Sequence, residues 1–250
     1  MIFKTSIYAN TPFFVLVGKM VRKIVEGGIE LFTLPPLQSK FRHLPFGGHG
    51  IQKLINDFDF ETVLDIGSGQ GLHSNVFLDH GFSVTALDYG DSVYLRKAEG
   101  DFRVVPIRGD FNTHNFSNKF DAIWCSHVLE HQLNPHNFLK KIYSILEEQG
   151  VLAITVPPYR NTCVGGHVGN WNAGLLLYNL VLAGFDCSDA SILKYGFNIT
   201  VIVTKRQAIC NDLSFDSGDL RKIKKFLPPL SFYSNADDDP FNGNIFKLNW

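Results

Sequence analysis

Val63-Leu64-Asp65-Ile66-Gly67-Ser68-Gly69-Gln70-Gly71 is a short, mostly apolar strand that runs straight into three glycines and then a helix. Glycine permits a tight turn and lets a ligand lie against bare backbone. In an open parallel sheet, such a loop lines the crevice at the strands' carboxyl ends, where ligands bind. The spacing decides the ligand class. A dinucleotide fingerprint reads G-x-G-x-x-G and sets a pyrophosphate on the helix N-terminus. Here the third glycine comes early and Leu72 takes the fingerprint's last position. Asp65, at the strand end, would repel phosphate and favour a cation. No Gly-Lys-Ser/Thr follows, which excludes a P-loop.

Outward from this loop the pattern alternates strand and helix. Strands are expected over 62–66, 83–87, 102–107, 120–125 and 151–156, with two late ones over 191–194 and 198–204. Helices are expected over 49–58, 72–80, 92–99, 135–147 and 173–183. The helix over 135–147 sets Phe138, Ile142, Ile145 and Leu146 on one face. Alternation of this kind implies an α/β fold, a mostly parallel sheet with helices on both faces. No long helix separates the last two strands, so they pair as an antiparallel hairpin. Residues 1–46 form a helical preamble, 47–205 the main domain and 206–250 a C-terminal tail that packs on it. In the preamble, Thr11-Pro12 is an N-cap and N1 pair, and Phe13, Leu16, Val17, Met20, Val21, Ile24 and Val25 follow at helical spacing. Its helix is read as packing on the domain, with a substrate lid or a homodimer contact as alternatives.

Further acids stand at the tips of the second and third strands. Asp88 ends the second, 19 residues after Gly69. A carboxylate there can accept hydrogen bonds from both hydroxyls of a ribose. Tyr89 beside it can pack on an adenine ring. Asp110, in a Gly-Asp-Phe triplet, can accept from the adenine amino group, and Phe111 supplies an apolar wall. Acids at three successive strand ends, with a glycine loop after the first, fit a nucleoside carrying positive charge. S-adenosylmethionine (SAM), with its sulfonium and ammonium groups, is such a ligand. The residues expected to hold it are Asp65, Gly67, Ser68, Gly69, Gly71, Asp88, Tyr89, Asp110, Phe111 and, at the end of the fourth strand, Ser126.

Over roughly residues 47–205 the chain resembles the class I SAM-dependent methyltransferases. Val63 to Gly71 resembles their first motif, Asp88 their ribose-binding acid and Asp110 their adenine-side acid. Phe120-Asp121-Ala122-Ile123, followed by His127-Val128-Leu129-Glu130-His131, resembles the fourth-strand motif of the small-molecule branch. The resemblance implies a Rossmann-like seven-stranded sheet in order 3-2-1-4-5-7-6 with strand seven antiparallel. It also implies methyl transfer from SAM. Pro157-Pro158, Gly165-Gly166-His167, Trp171 and Leu182-Ala183-Gly184-Phe185 resemble a subgroup from surface-glycan and natural-product pathways. The acceptor is accordingly expected to be a sugar, a glycan precursor or a related small metabolite, as in polysaccharide biosynthesis. The variable preamble and tail are expected to shape its pocket.

Methyl transfer from a sulfonium is an in-line displacement on an already activated donor. Positioning can supply on the order of 7–11 kcal/mol of the barrier. A hydroxyl acceptor must also lose a proton, and imidazole suits that task. Of the nine histidines, His167 stands in a glycine-rich loop after the fifth strand and is the first choice as general base. The alternative is a loop histidine that caps a helix or shapes the pocket. His127 follows the fourth strand and could line the methyl path. His131 pairs with Glu130, either in catalysis or as a structural bond that fixes the loop. A metal held by Glu130, His131 and nearby acids is an alternative reading, but no tight ligand spacing supports it and none is expected. Trp171, Tyr159 and Arg160 could contact a sugar or a charged acceptor, with core packing as the equal alternative for Trp171. An N-methyltransferase and a non-catalytic SAM-binding protein are the alternative functions.

Composition excludes other classes. With 45% apolar residues over 250 positions, the chain can build a full core without disulfides. A net charge of −1 offers no basic field for a nucleic-acid backbone. Cys125, Cys163, Cys187 and Cys210 are widely spaced and contain no C-x-x-C, which fits a reducing compartment. The apolar run over 13–17 is too short to span a membrane and lacks a small-residue cleavage site. A cytoplasmic location is expected.

Overall fold

The structure, a computed structural model, describes residues 20–25, 28–90, 103–216, 218–229, 241 and 243–250. The chain divides into two compact units, Met1–Pro36 and Leu37–Trp250. In the first, β1 (Met20–Val25) pairs antiparallel with β2 (Gly28–Thr33), in register from Met20↔Thr33 to Val25↔Gly28. The helix expected through residue 25 is therefore a strand over 20–25. Its proposed start at Thr11-Pro12 lies outside the described residues, as does the short helix expected over 92–99. Val21, Ile24, Val25 and Ile29 are β-branched, and such residues favour extended backbone once a partner strand is at hand.

The second unit begins at Leu37, earlier than the boundary expected after residue 46, because Phe41 and Leu44 are buried in its core with Leu37 packed against them. It then runs α1 (Gly48–Asp57), β3 (Thr62–Ile66), α2 (Leu72–Asp79), β4 (Ser83–Asp88), β5 (Ile107–Arg108) and β6 (Phe120–Ser126). These are followed by α3 (Pro135–Ile145), β7 (Leu146–Val156), α4 (Ala173–Ala183), β8 (Ser191–Tyr195), β9 (Asn198–Thr204), α5 (Asp219–Ile223) and β10 (Lys247–Leu248). The helix signals behave as their chemistry demands. Asn134 caps α3 by accepting from Asn137 N at 3.1 Å, with Pro135 behind it. Asn172 caps α4 by accepting from Leu175 N at 2.7 Å, and Gly184 ends it at φ 113°.

Among the described residues the main sheet has eight strands, in the order β10-β8-β9-β7-β6-β3-β4-β5. β5, β4, β3, β6 and β7 are parallel neighbours, whereas β9 runs antiparallel to β7 and to β8. Counted from the glycine-loop strand, this is the expected 3-2-1-4-5-7-6 order with an eighth strand added by the tail. That strand, β10, pairs with β8. The expected third strand over 102–107 begins outside the described residues, and among those described only Ile107 and Arg108 pair with β4. Pro106 has no N–H to give a ladder, and Val105 before it is 81% exposed at the sheet edge.

Successive residues of the central strands feed opposite faces, as the pleat requires. Leu64, Ile66, Ile123 and Leu152 pack with α3 and α4 residues such as Phe138, Ile142, Leu176 and Leu180. Val63, Ala122, Trp124 and Ala153 pack with Ile51, Leu54, Val76 and Phe77 of α1 and α2. From the tail, Ile223, Leu227 and Ile245 are buried against the α3–α4 face. Among the described residues no helix is long and apolar enough to cross a membrane.

Candidate functional site

The glycine loop closes the carboxyl end of β3 against β4. Gly67 N and Ser68 N both donate to Leu87 O, at 2.8 and 3.2 Å, and Gly71 N returns to Ser68 O at 2.8 Å. Gly67, Gly69 and Gly71 all have positive φ, of 73°, 52° and 74°. At Gly67 the need for glycine is also steric, since a Cβ there would stand 2.3 Å from Val128 Cγ2. The turn therefore presents bare backbone at the tip of the sheet.

Asp88 stitches this loop to β4. It is 4% exposed; its Oδ2 accepts from Gly69 N at 2.9 Å and its Oδ1 from Gly90 N at 3.1 Å. Each oxygen keeps a further lone pair for a ligand hydroxyl. Asp65 behaves differently. It is buried, and its Oδ2 accepts from Ser74 Oγ at 2.6 Å, beneath the loop. Burial pushes its carboxyl up to about 7, the Ser74 bond opposing the rise and the charge of Asp88 adding to it. Ser68 Oγ and Ser126 Oγ, after β3 and at the end of β6, are buried hydroxyls without a hydrogen-bond partner among the described residues. Asp110 Oδ1 accepts from Asn112 N and Nδ2, at 2.9 and 3.0 Å. Phe111 is core rather than wall, with its ring 4.9 Å from that of Phe138. Tyr89 is 70% exposed. A bare-backbone turn, a carboxylate with spare lone pairs beside it and two orphan hydroxyls fit a polar nucleoside such as SAM.

The second group of predicted residues gathers after β6. His127 holds a positive φ of 57°, uncommon for a residue with a side chain, and its N–H donates to Thr155 O at 2.9 Å. Its Nε2 lies 2.9 Å from Asn198 Oδ1, and its Nδ1 lies 3.2 Å from Glu130 Oε1. Asn198 Nδ2 donates to Tyr195 O, which turns Oδ1 toward the histidine. Both ring nitrogens thus face acceptors. Burial alone would lower the His127 pKa, but the bonds to Glu130 and Asn198 and the charge of Glu130 raise it above the ordinary value. His131 Nδ1 meets Gly166 O at 2.8 Å, and its ring stands edge-on to His167 at 4.9 Å. Val168 N and Gly169 N donate to Glu130 O at 2.8 and 3.1 Å, pinning the glycine-rich loop to this turn. His167 lines a cleft with Pro157, Pro158, Arg160, Val164 and Phe197. Burial lowers its pKa, the charge of Glu130 opposes, and His131 and His127 add to the fall.

The structure thus places the three predicted histidines in one cluster and separates two predicted acceptor contacts. Arg160 lies over the Phe197 ring at 3.9 Å, in the cleft. Trp171 is 4% exposed and belongs to the core. Sequence reading missed Asn198 and Phe46, whose rings and amide hold His127: the Phe46 ring is 4.6 Å from that of His127. It also missed His73, which takes a bond from Trp124 Nε1 at 3.0 Å and meets Phe46 O at 2.9 Å. Burial pushes His73 down to about 4, so it is a neutral strut. No local spacing marks any of these residues: His73 lies 51 positions from Trp124, and Asn198 lies 71 positions from His127.

A family model described as a methyltransferase domain matches residues 40–202. The ubiquinone biosynthesis O-methyltransferase of Glaesserella parasuis is 32% identical over 105 residues, 38% of this chain and 44% of that protein. That of Paramagnetospirillum magneticum is 30% identical over 127 residues, 48% of this chain and 51% of that protein. The chain spans about half the length of the curated relatives it matches. Among solved structures, a Bacillus halodurans protein described as a methyltransferase superposes with a TM-score of 0.51 at 18% identity, covering 64% of this chain and 98% of that one. Human N-acetylserotonin methyltransferase in complex with SAM gives 0.51 at 17% identity, covering 64% of this chain and 52% of that one. These likenesses are of fold.

Proposed function

The chain belongs to the methyltransferase-domain family, with the class I SAM-dependent fold and SAM as its cofactor, and on that premise we propose that it methylates a hydroxyl oxygen of a small acceptor. The observation that carries the proposal is the presence, at the carboxyl ends of the strands, of the glycine loop with Asp88 and of a cleft after β7 that His167 lines. SAM, when bound, supplies a methyl group already activated on a sulfonium. The chain's own residues do the rest. Gly67, Ser68, Gly69 and Gly71 present backbone, Asp88 holds the ribose hydroxyls, and Ser126 offers its free hydroxyl. Asp110 and Tyr89 stand on the adenine side. His127, bonded at both nitrogens, positions the turn. His167, whose ring nitrogens have no hydrogen bond among the described residues, takes the acceptor's proton. His131 orients it edge-on.

The relatives named for O-methylation support oxygen over nitrogen as the receiving atom. The finer reading, a sugar or glycan precursor, has its support in the resemblance of the loop over 157–171 alone. Incubation with labelled SAM and a panel of catechols, nucleotide sugars, glycan fragments and amines tests both levels. Label on a hydroxyl is expected, and His167→Ala is expected to slow transfer about 10²–10⁴-fold with SAM affinity kept. Label only on amines would replace the oxygen reading with N-methylation. SAM binding with no label on any acceptor would leave a binding protein.

A further inference from the structure

We infer that Glu130, His131 and His167 form a binding site for a divalent transition-metal ion of the zinc class. The inference rests on the geometry of the cluster and not on the proposed methyl transfer. One ligand atom from each residue lies within 4.8 Å of the other two. Two observations set the cluster apart from a chance meeting of side chains. Glu130 is 0% exposed, and among the described residues neither of its carboxylate oxygens has a hydrogen-bond partner, Oε1 only facing His127 Nδ1 at 3.2 Å. A buried polar atom left alone costs about 1–3 kcal/mol, more when charged. A cation at this carboxylate removes that cost. Second, His131 Nδ1 is bonded to the carbonyl of Gly166. A carbonyl can only accept, so Nδ1 carries the proton and Nε2 presents its lone pair. Metal-bound histidines are held in this manner, with the other ring N–H on a carbonyl or carboxylate.

The donor set chooses the metal. Two imidazoles and one carboxylate suit zinc, nickel or iron rather than magnesium or calcium, which prefer oxygen alone. Three protein ligands leave the fourth tetrahedral position open. Ligand atoms on one zinc stand about 3.3 Å apart, so the cluster closes by roughly 1.5 Å on binding. His131 is exposed and His167 half-buried, so both rings can turn to make that shift while the loop backbone stays pinned. A metal on His167 takes the lone pair that the proposed proton transfer uses, and bound zinc is therefore expected to slow methyl transfer.

Equilibrium dialysis of the chelator-treated full chain against Zn²⁺ alone tests the site, with the visible spectrum of bound Co²⁺ as a second readout. One zinc per chain is expected at micromolar metal. His131→Ala and His167→Ala should each weaken binding at least about tenfold. Both side chains lie outside the core, so circular dichroism should match the wild type, and His136→Ala should bind normally. Absence of binding, or binding untouched by both substitutions, would overturn the site. Zinc binding, together with no methyl transfer to any acceptor by the metal-free chain, sinks the proposed function and leaves the metal site standing. Methyl transfer without zinc binding does the reverse.

Discussion

Two carboxylates a strand apart do opposite work. Asp88 accepts from the amides of Gly69 and Gly90 and keeps spare lone pairs for the ribose it is proposed to hold. Asp88→Ala should weaken SAM binding by about 1–3 kcal/mol, because partners are left unpaired; calorimetry showing unchanged affinity would mean the ribose lies elsewhere. Asp65 lies inside, on Ser74, with its pKa raised from an ordinary 3.8 to about 7. Between those values the folded chain holds a proton that the unfolded chain has released. Stability from this group therefore falls as pH rises from about 4 to about 7, and it is lowest above that window. Asp65→Asn should abolish this fall. Urea unfolding of both proteins across the window checks it, and parallel slopes would refute it.

At the scale of elements, the turn from β3 to α2 depends on one glycine for two reasons. Gly67 holds a left-handed backbone, and Val128 blocks any side chain there. Gly67→Ala should cost at least about 1–2 kcal/mol for the backbone alone. The contact with Val128 adds to it, so Val128→Ala in the same chain should recover part of the loss in a double-mutant cycle. Strict additivity of the two substitutions in thermal melts would show that the contact carries no energy. The β6 end follows a related logic. His127 accepts strained backbone because Thr155, Asn198 and Glu130 hold it from three directions. Helices and buried strands were legible here because each carries its own signal: Asn134-Pro135 and Asn172 start helices, Gly184 stops one, and Thr62 to Ile66 is an apolar run bounded by turn residues. β5 was misjudged because Val104, Val105 and Ile107 look like a strand while Pro106 and the sheet edge leave only two residues to pair. β1 was misread because apolar residues at 20, 21, 24 and 25 satisfy helical spacing, and only the pairing with β2 decides against it.

For the whole molecule, the tail completes the sheet. β10 covers the edge of β8, Ser191 Oγ donates to Asn249 O at 2.7 Å, and Asn249 Nδ2 donates to Ala190 O at 3.1 Å. Deleting 247–250 should lower Tm by roughly 5–10 °C, from about three lost hydrogen bonds in a domain of this size. An unchanged melting curve would show that the strand adds nothing to the unit it covers. The amino-acid sequence by itself determined the α/β class, the strand order through its resemblance and the ligand end of the sheet. Glycine spacing, capping residues and acids at strand tips are local, and local chemistry is written in consecutive residues. Tertiary structure alone decided which side chains meet. It turned Asp65 inward, buried Trp171 and Phe111, and set Asn198 against His127 across 71 positions. It also carried His167 to Glu130 and His131, because contacts between distant segments depend on how the sheet stacks its loops, which no spacing along the chain records.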